Sequence, residues 1–470
     1  MEPAAEARHD DEGGRYVRLL GPFDATMIVA GAMVGSGIFI VSADIAREVG
    51  AAGWLLAVWA LAGAMTVMGA RCYAELAAMY PYAGGQYVFL RAAFGPLAGF
   101  LYGWTLLLVI QSGTIAAVVV AFAKFLAVLV PALGGEVVLA RVAGRELTPQ
   151  ALVAVGVIGL LTAANCRGLA TGKGIQNVFT VAKIAALGGI VLLALAVGLR
   201  SDVLAANFAT PFDTGGARGA LVASFGAAMV GALFSSDAWN NVTFTGAEVR
   251  NARATLPRAL VVGTALVVSL YLLVNVAYLA VLPVQGSPDG ATALARGIAY
   301  ATEDRVGTAV AGQVLGTSAE AVMAVLIMVS TFGCANGLVL AGPRLYQTMA
   351  ADRLLFPALA RLSARGVPAR ALVLQGVWAS LLAVSGRYGQ LLDYVIATAL
   401  VFYALTVVGL LRLRARHGSS GGRLLPLAYV VLALAVCLDL LVVKPEYTWP
   451  GFLIVLLGLP VYAVWRRATR

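Results

Sequence analysis

The sequence predicts an all-α membrane protein with 12 transmembrane helices, arranged as a 5+5 inverted repeat with two peripheral helices. The chain of 470 residues is 61% hydrophobic and 12% charged, and its mean hydropathy is +0.89. Soluble domains contain roughly 45–50% apolar and about 25% charged residues, so this composition excludes them. In addition, two apolar segments far apart in the chain are interrupted by small and polar residues.

Windows of about 20 apolar residues are long enough to cross a bilayer. The predicted spans 1 to 12 are, in order, 23–43, 52–78, 93–130, 149–166, 175–199, 219–246, 257–282, 307–346, 370–386, 388–412, 424–443 and 449–466. Because five is an odd number, spans 1–5 and 6–10 begin on opposite sides of the membrane and form inverted repeats. The predicted organisation is an N-terminal tail (1–22), a first repeat (23–199), a second repeat (219–412) and two peripheral spans (424–466).

The distribution of positive charge predicts the orientation of the chain. The net charge is +10, and about two thirds of the 33 Lys and Arg residues lie on the same side of the membrane as the N-terminus. This bias is the positive-inside pattern, so we predict cytoplasmic termini and a location in the plasma or inner membrane. Residues 1–22 lack the apolar core of a cleavable signal peptide. The basic charge therefore predicts topology and no nucleic-acid partner.

The cysteines and histidines predict no catalytic or metal site. They are scattered without metal-ligand spacing, as Cys72, Cys166, Cys334, Cys437, His9 and His417. An enzyme would need a nucleophile–base or metal constellation, so we predict no enzyme and no cofactor. A channel is disfavoured because the sequence has no filter-like repeat. A nutrient sensor built on a transporter scaffold stays an alternative.

The first interruption lies in span 1 and reads Gly31-Ala-Met-Val-Gly35-Ser36-Gly37. The small residues Gly31 and Gly35 also suit ordinary packing between membrane helices. Glycine, however, readily adopts the geometry that unwinding needs, and backbone groups freed at membrane depth must line a cavity or a ligand site. The amides that begin the following half-helix attract a carboxylate. We therefore predict a ligand site at Gly35, Ser36 and Gly37.

The second interruption lies at the matching place in span 6, where the candidate site residues are Phe234, Ser235, Asp237, Trp239 and Asn240. Carbonyls that end its first half-helix attract an ammonium group. Matched breaks of this kind indicate the binding site of a secondary transporter, and the pair suits a zwitterion. Phe234 is bulky enough to act as a gate; the alternative for Phe234 and Trp239 is that they face lipid or simply pack. Asp237 is a candidate for binding an amine, a cationic side chain or a proton, with helix capping as the alternative.

Lys183 lies deep in span 5, in the stretch Thr180-Val-Ala-Lys183, which is too deep for routine snorkelling, although snorkelling stays the alternative. A lysine beside unwound carbonyls supplies the charge that an alkali-metal ion would otherwise supply. If desolvated, it can also alternate between its charged and neutral forms. We predict that Lys183 replaces a coupling cation and that no metal binds there.

Four stretches of the chain match the pattern of one family, namely 35–39, 72–97, 165–183 and 234–259. They begin with Gly35-Ser-Gly-Ile-Phe39 and include Cys72-Tyr-Ala-Glu-Leu and Glu248-Val-Arg-Asn251. In these stretches the chain resembles the amino acid–polyamine–organocation (APC) superfamily, and more narrowly its L-type amino acid transporter (LAT)-like group. The resemblance implies a leucine-transporter-like inverted-repeat fold and alternating access.

The resemblance also implies roles for individual residues. The substrate α-carboxylate would bind the amides of Gly35, Ser36 and Gly37, and the α-amine would bind the carbonyls of Met33, Phe234 and Asp237. Phe234 would act as the gate. Lys183 matches the lysine of the sodium-independent members.

The predicted function is sodium-independent transport of neutral L-amino acids across the cell membrane by exchange. The alternatives are a cationic amino acid or polyamine carrier that uses Asp237, and a proton-coupled carrier. Animal light subunits have an external cysteine linked to a heavy subunit, and the loop 131–148 has none, so no disulfide-linked heavy subunit is expected. Ser236 replaces an aromatic residue frequent in the family, which is expected to widen the pocket, and Ala252 replaces a frequent proline.

Overall fold

The computed structural model describes residues 16–142, 145–213, 218–385, 388–418, 421–443 and 445–468. Within this part the chain is nearly all helical. The α-helices, α1 to α18 in order, are Pro22–Met33, Gly37–Val49, Ala52–Met79, Gln86–Phe94, Pro96–Thr105, Gln111–Leu129, Pro149–Cys166, Leu169–Ala196, Ser201–Ala209, Arg218–Ser235, Ala252–Val281, Ala293–Arg296, Val306–Leu315, Ala319–Ala351, Ala369–Val384, Tyr388–His417, Leu424–Val443 and Pro445–Ala468. A short antiparallel hairpin of β1 (Ala140–Val142) and β2 (Arg145–Leu147) lies in the predicted loop 131–148.

The multi-pass helical architecture is confirmed, whereas the count of twelve spans stays a prediction. Nine helices of the described residues are long and apolar enough to cross a membrane, and the bent pair α1–α2 makes a tenth. The other two predicted spans, 219–246 and 370–386, correspond to the shorter apolar helices Ser224–Ser235 and Ala369–Val384. Span 6 is short as a helix because it breaks after Ser235. The division into two repeats likewise stays a prediction.

The ends of span 1 define two faces of the molecule. We call the face at which α1 begins the first face, and the face at which α2 ends the second face. Both described ends of the chain contact the end of α14 on the first face. The Tyr16 hydroxyl donates to Gln347 Oε1 at 3.1 Å, and Trp465 Nε1 donates to the Arg353 carbonyl at 3.1 Å. The beginning and end of the described chain therefore lie on the same face.

Helix α1 lies at the centre of the bundle, packed against α8, α11 and α14, while α10 packs against α2 and α3. Glycines allow the closest of these approaches. A Cβ at Gly263 of α11 would lie 2.7 Å from the Cβ of Val29 on α1. This packing brings α8, α11 and α14 to the break between α1 and α2, which is where the candidate site lies.

Candidate functional site

Span 1 breaks at the predicted residues. Helix α1 ends at Met33 and α2 begins at Gly37, and the two axes differ by 43°. Val34 adopts an extended conformation, with φ −77° and ψ 99°. The break therefore frees backbone groups from the regular helical ladder in the centre of the protein.

Side chains from three other helices bind the carbonyls of this break. The five carbonyls from 31 to 35 and their partners are Gly31 (Lys183), Ala32 (Cys334), Met33 (Tyr271), Val34 (Lys183 and Ser330) and Gly35 (Ser330). The shortest of these contacts comes from Lys183, at 2.6 Å from the Gly31 oxygen. The break is thus held by a preformed set of donors.

Lys183 supplies the charge in this arrangement. Its side chain is 0% exposed, and Nζ donates to the carbonyls of Gly31 at 2.6 Å, Val34 at 2.7 Å and Ser330 at 3.2 Å. An ammonium group has three donors, so all three are used. Hydrogen bonds from an ionised donor are about twice as strong as neutral ones. Lys183 therefore joins α8 to the unwound part of span 1 and to α14.

Unlike the carbonyls of this break, its backbone amides at residues 35–37 have no partner among the described residues. Gly35, Ser36 and Gly37 are buried, with Ser36 6% exposed. Within the described residues, their backbone N–H groups donate to no protein acceptor. They begin the 13-residue helix α2, whose dipole favours negative charge at this end. The arrangement can accept a carboxylate.

The second break is built differently. Helix α10 ends at Ser235, and a 3₁₀-helix, Trp239–Phe244, replaces the expected second half-helix. Ala238 between them is left-handed, with φ 64° and ψ 7°. This conformation costs a residue with a Cβ of order 1–3 kcal/mol, and such strain concentrates at functional sites. The Asp237 amide donates to the Phe234 carbonyl at 3.1 Å.

The two breaks touch each other. A Cβ built at Gly37 would lie 2.2 Å from Ser235 Oγ, so only glycine permits this approach. The Tyr271 hydroxyl of α11 lies 3.2 Å from the Met33 carbonyl oxygen and 3.1 Å from that of Ser235, and shares its proton between them. Residues from both predicted motifs therefore meet at one place in the fold.

Asp237 lies between two small cavities and lines both. Its side chain is 8% exposed, and Oδ1 accepts a hydrogen bond of 2.6 Å from the Tyr403 hydroxyl. The first cavity is mostly apolar, with Leu233 and Ile396 in its wall. The second is more polar and includes Gln111. Gly35, Ser36 and Gly37 line neither cavity, so the free amides are covered in this conformation.

The other predicted residues of the second break pack around these cavities. Trp239 is 2% exposed and meets Tyr73 edge-on, with ring centroids 4.7 Å apart. Asn240 Nδ2 donates to Gln86 Oε1 at 2.8 Å. Phe234 is half-buried, and the Ser235 hydroxyl donates back to the Gly231 carbonyl at 2.9 Å. Trp239 therefore does not face lipid, and Phe234 keeps part of its ring free.

Sequence reasoning missed four residues that hold the two breaks: Tyr271, Ser330, Cys334 and Tyr403. Tyr271 lies in α11, Ser330 and Cys334 lie in α14, and Tyr403 lies in α16, and each of these long apolar helices carries other buried polar side chains as well. Such residues are common in membrane helices, where they also serve ordinary helix–helix contacts. The sequence therefore offered no signal that distinguished these four from their neighbours.

A buried ion pair lies between the second break and the first face. Arg344 Nε and Nη2 donate to Glu248 at 3.0 and 2.9 Å, and both side chains are 1% exposed. Burial raises the pKa of the Glu248 carboxyl, and the adjacent Arg344 guanidinium opposes that rise. The Leu20 amide donates to the Glu248 carbonyl at 3.0 Å. The chain before α1 is thereby tied to the same point.

The contact between the breaks yields a direct prediction. Gly37→Ala should reduce transport about tenfold, because overpacking a tight contact costs about 1–3 kcal/mol. The initial uptake rate per inserted molecule measures this effect. Gly188→Ala in α8 is the matched control, because nothing lies within 4 Å of its Cβ. Equal uptake rates for the two variants would contradict the close approach at Gly37.

Two interrupted membrane helices meet in this bundle, and the buried Lys183 ammonium binds the free carbonyls of the first. Paired interrupted helices of this kind are the architecture of a secondary transporter. The chain belongs to the Amino acid permease family, whose sequence pattern matches residues 20–458. Within the APC superfamily it is a member of the LAT-like group. It is therefore a multi-pass membrane transporter of amino acids and not an enzyme.

The similarity to individual transporters extends over most of the chain. The b(0,+)-type amino acid transporter 1 of Rattus norvegicus is 30% identical over 401 residues, which cover 84% of this chain and 76% of that protein. The Asc-type amino acid transporter 1 of Homo sapiens is 29% identical over 458 residues, covering 94% and 81%. The Large neutral amino acids transporter small subunit 2 of Mus musculus is 28% identical over 476 residues, covering 98% and 83%.

Proposed function

We propose that this protein is a sodium-independent transporter of neutral L-amino acids that works by exchange through alternating access. The observation that carries the proposal is the set of three hydrogen bonds from Lys183 to the carbonyls of Gly31, Val34 and Ser330. An alkali-metal ion at an unwound helix needs the same carbonyl oxygens. Because an ammonium already occupies them, transport through this site needs no sodium there.

The proposed substrate site uses both breaks. The free amides of Gly35, Ser36 and Gly37 hold the α-carboxylate. The α-amine binds the carbonyls of Met33, Phe234 and Asp237, each of which retains a lone pair beside any present partner. Phe234 gates the site, and Ser235, Trp239 and Asn240 shape it. Since the amides are covered here, substrate entry requires the breaks to separate, which fits alternating access.

The preference for neutral substrates is supported by the site walls and by one relative. The cavity on one side of Asp237 is lined mainly by apolar groups, among them Met65 and Leu400. The Large neutral amino acids transporter small subunit 2 is named for neutral substrates. Both favour a substrate whose side chain carries no charge.

The proposed setting is the plasma or inner membrane with cytoplasmic termini. Arginine-rich segments cluster on the first face, where both described chain ends lie, as the positive-inside rule requires for the cytoplasmic side. The four cysteines are free in the structure, and none lies in the loop 131–148. We therefore propose that no disulfide-linked heavy subunit is needed for transport.

The test is uptake of labelled L-alanine into proteoliposomes in sodium-free buffer, with and without internal amino acid. Exchange predicts uptake only in the preloaded vesicles. Uptake into empty vesicles driven by an inward proton gradient would replace exchange with proton symport. No uptake of any neutral amino acid under either condition would refute the proposal for neutral substrates.

A cationic substrate is the second candidate, because Asp237 places a buried carboxylate between the two cavities. If it is correct, arginine or agmatine competes with labelled alanine, and Asp237→Asn loses that competition while alanine uptake remains. Tyr403→Phe is the matched control, since it removes the partner hydroxyl and keeps the carboxylate. Absence of competition in the unmodified protein excludes this candidate.

A further inference from the structure

The two faces of the protein differ in how their positive charges are paired. Within the described residues of the second face, the cations with carboxylate partners are Arg47, Lys124, Arg141, Arg200 and Arg305. On the more basic first face they are Arg91, Lys173, Arg344 and Arg414. The remaining described arginines of the first face form no ion pair with another described residue. Unpaired cations at the membrane surface attract anionic lipid headgroups.

Three of these unpaired arginines lie together where α14 and α18 end. Arg353 follows the end of α14, and Arg466 and Arg467 end α18. Trp465 Nε1 donates to the Arg353 carbonyl at 3.1 Å, and its ring meets Phe356 edge-on with centroids 5.2 Å apart. We call these five residues the Arg353 patch.

The patch has the residue types and the exposure that suit the boundary between hydrocarbon and headgroups. Phe356 is 52% exposed, although it is a large apolar side chain. Along α18, Leu457 and Val464 are 59% and 68% exposed, so this helix offers an apolar surface to lipid chains. Tryptophan with neighbouring arginine is typical of residues that anchor in the membrane interface. A lipid bound here can contact arginines with its headgroup and α18 with its acyl chains.

The backbone holds Arg353 in an unusual conformation. Its φ is +60°, which costs a residue other than glycine about 1–2 kcal/mol. Hydrogen bonds from the Arg353 amide to Ala350 and from the Leu354 amide to Met349 hold the turn. The carboxylate next to it, Asp352, is already bound by Tyr87 and Arg91. Among the residues that the structure describes, Arg353 therefore has no carboxylate partner.

We propose that the Arg353 patch binds the phosphate of an anionic phospholipid whose acyl chains lie along α18. Guanidinium groups match phosphate oxygens with paired hydrogen bonds, which lysine does not reproduce. The Trp465–Phe356 pair supports the glycerol region. This site is separate from the two breaks of the transport site and does not depend on which amino acid is carried.

Native mass spectrometry of the purified full chain tests the site, with phosphatidylglycerol and phosphatidylcholine of equal acyl chains as probes. The variant R353Q/R466Q/R467Q should bind phosphatidylglycerol about 100-fold more weakly, since each cation contributes about fivefold near an anionic surface. The double variant R466Q/R467Q keeps the turn at Arg353 and should bind phosphatidylglycerol about 25-fold more weakly. In the unmodified protein, phosphatidylcholine should bind much more weakly than phosphatidylglycerol.

The matched control is R361Q/R365Q/R423Q, which removes three exposed, unpaired arginines from the same face. This control should bind phosphatidylglycerol like the unmodified protein. Equal losses in the control and patch variants would overturn the proposal, because the diffuse charge of the face would then explain binding. Unchanged binding in the patch variants, or equal binding of the two lipids, would also overturn it.

Discussion

Lys183→Ala is expected to reduce alanine transport at least about 100-fold while the protein still inserts into the membrane. Each hydrogen bond from an ionised group contributes about 1.5–3 kcal/mol, and Lys183 makes three of them to carbonyls around the first break. Without the ammonium, these carbonyls face each other with no compensating charge. The initial uptake rate in proteoliposomes, normalised to the amount of inserted protein, measures the effect.

Two variants make this result specific. Lys124→Ala removes an exposed lysine from α6, distant from the break, and should leave transport unchanged. Lys183→Met keeps the length of the side chain without its charge and should be as inactive as Lys183→Ala. Near-normal uptake by either Lys183 variant would refute the coupling role.

The buried pair of Glu248 and Arg344 gives the second large effect. Arg344→Met leaves the Glu248 carboxylate buried without its partner, which is expected to lower the free energy of unfolding by about 3–5 kcal/mol. The midpoint of thermal unfolding of the purified protein should fall accordingly. The exposed pair of Lys124 and Glu303 is the comparison, where Lys124→Met should cost about 1 kcal/mol or less.

A double substitution separates lost pairing from a stranded charge. Replacing both residues, as in Glu248→Leu with Arg344→Met, should recover most of the stability lost in the single variant, because apolar groups of similar volume can replace a buried ion pair. A double variant that is less stable than Arg344→Met would show that the pair itself, and not the unpaired carboxylate, governs stability.

Hydropathy was enough to predict the membrane architecture, because each crossing needs a long apolar segment. Hydropathy predicted the structure less well where the chain crosses the membrane without a regular helix. The stretch after Asp237, in which Asn and Thr alternate with apolar residues, was predicted as a continuation of span 6, but it forms the 3₁₀-helix Trp239–Phe244. Hydrophobicity does not distinguish the two conformations. The hairpin of β1 and β2 was also missed, since its strands are only three residues each.

The position of the first break was predictable because three features coincide at Gly35-Ser36-Gly37: small size, polarity and membrane depth. The groups that surround it were not. Tyr271 and Ser330 come from helices that are apolar on nearly all sides, so their rotational register depends on packing with α1. Lys183 stood out because a charge deep in a span is costly without a partner. Its three carbonyl partners emerged only from the folded arrangement.

The central claim, that Lys183 takes the place of a coupling sodium ion, is tested most directly by measuring alanine exchange as a function of sodium concentration. Vesicles preloaded with alanine are used, with choline replacing sodium at constant ionic strength. The account predicts the same exchange rate in the complete absence of sodium as at saturating sodium. A rate that rises with sodium and vanishes without it would contradict the account.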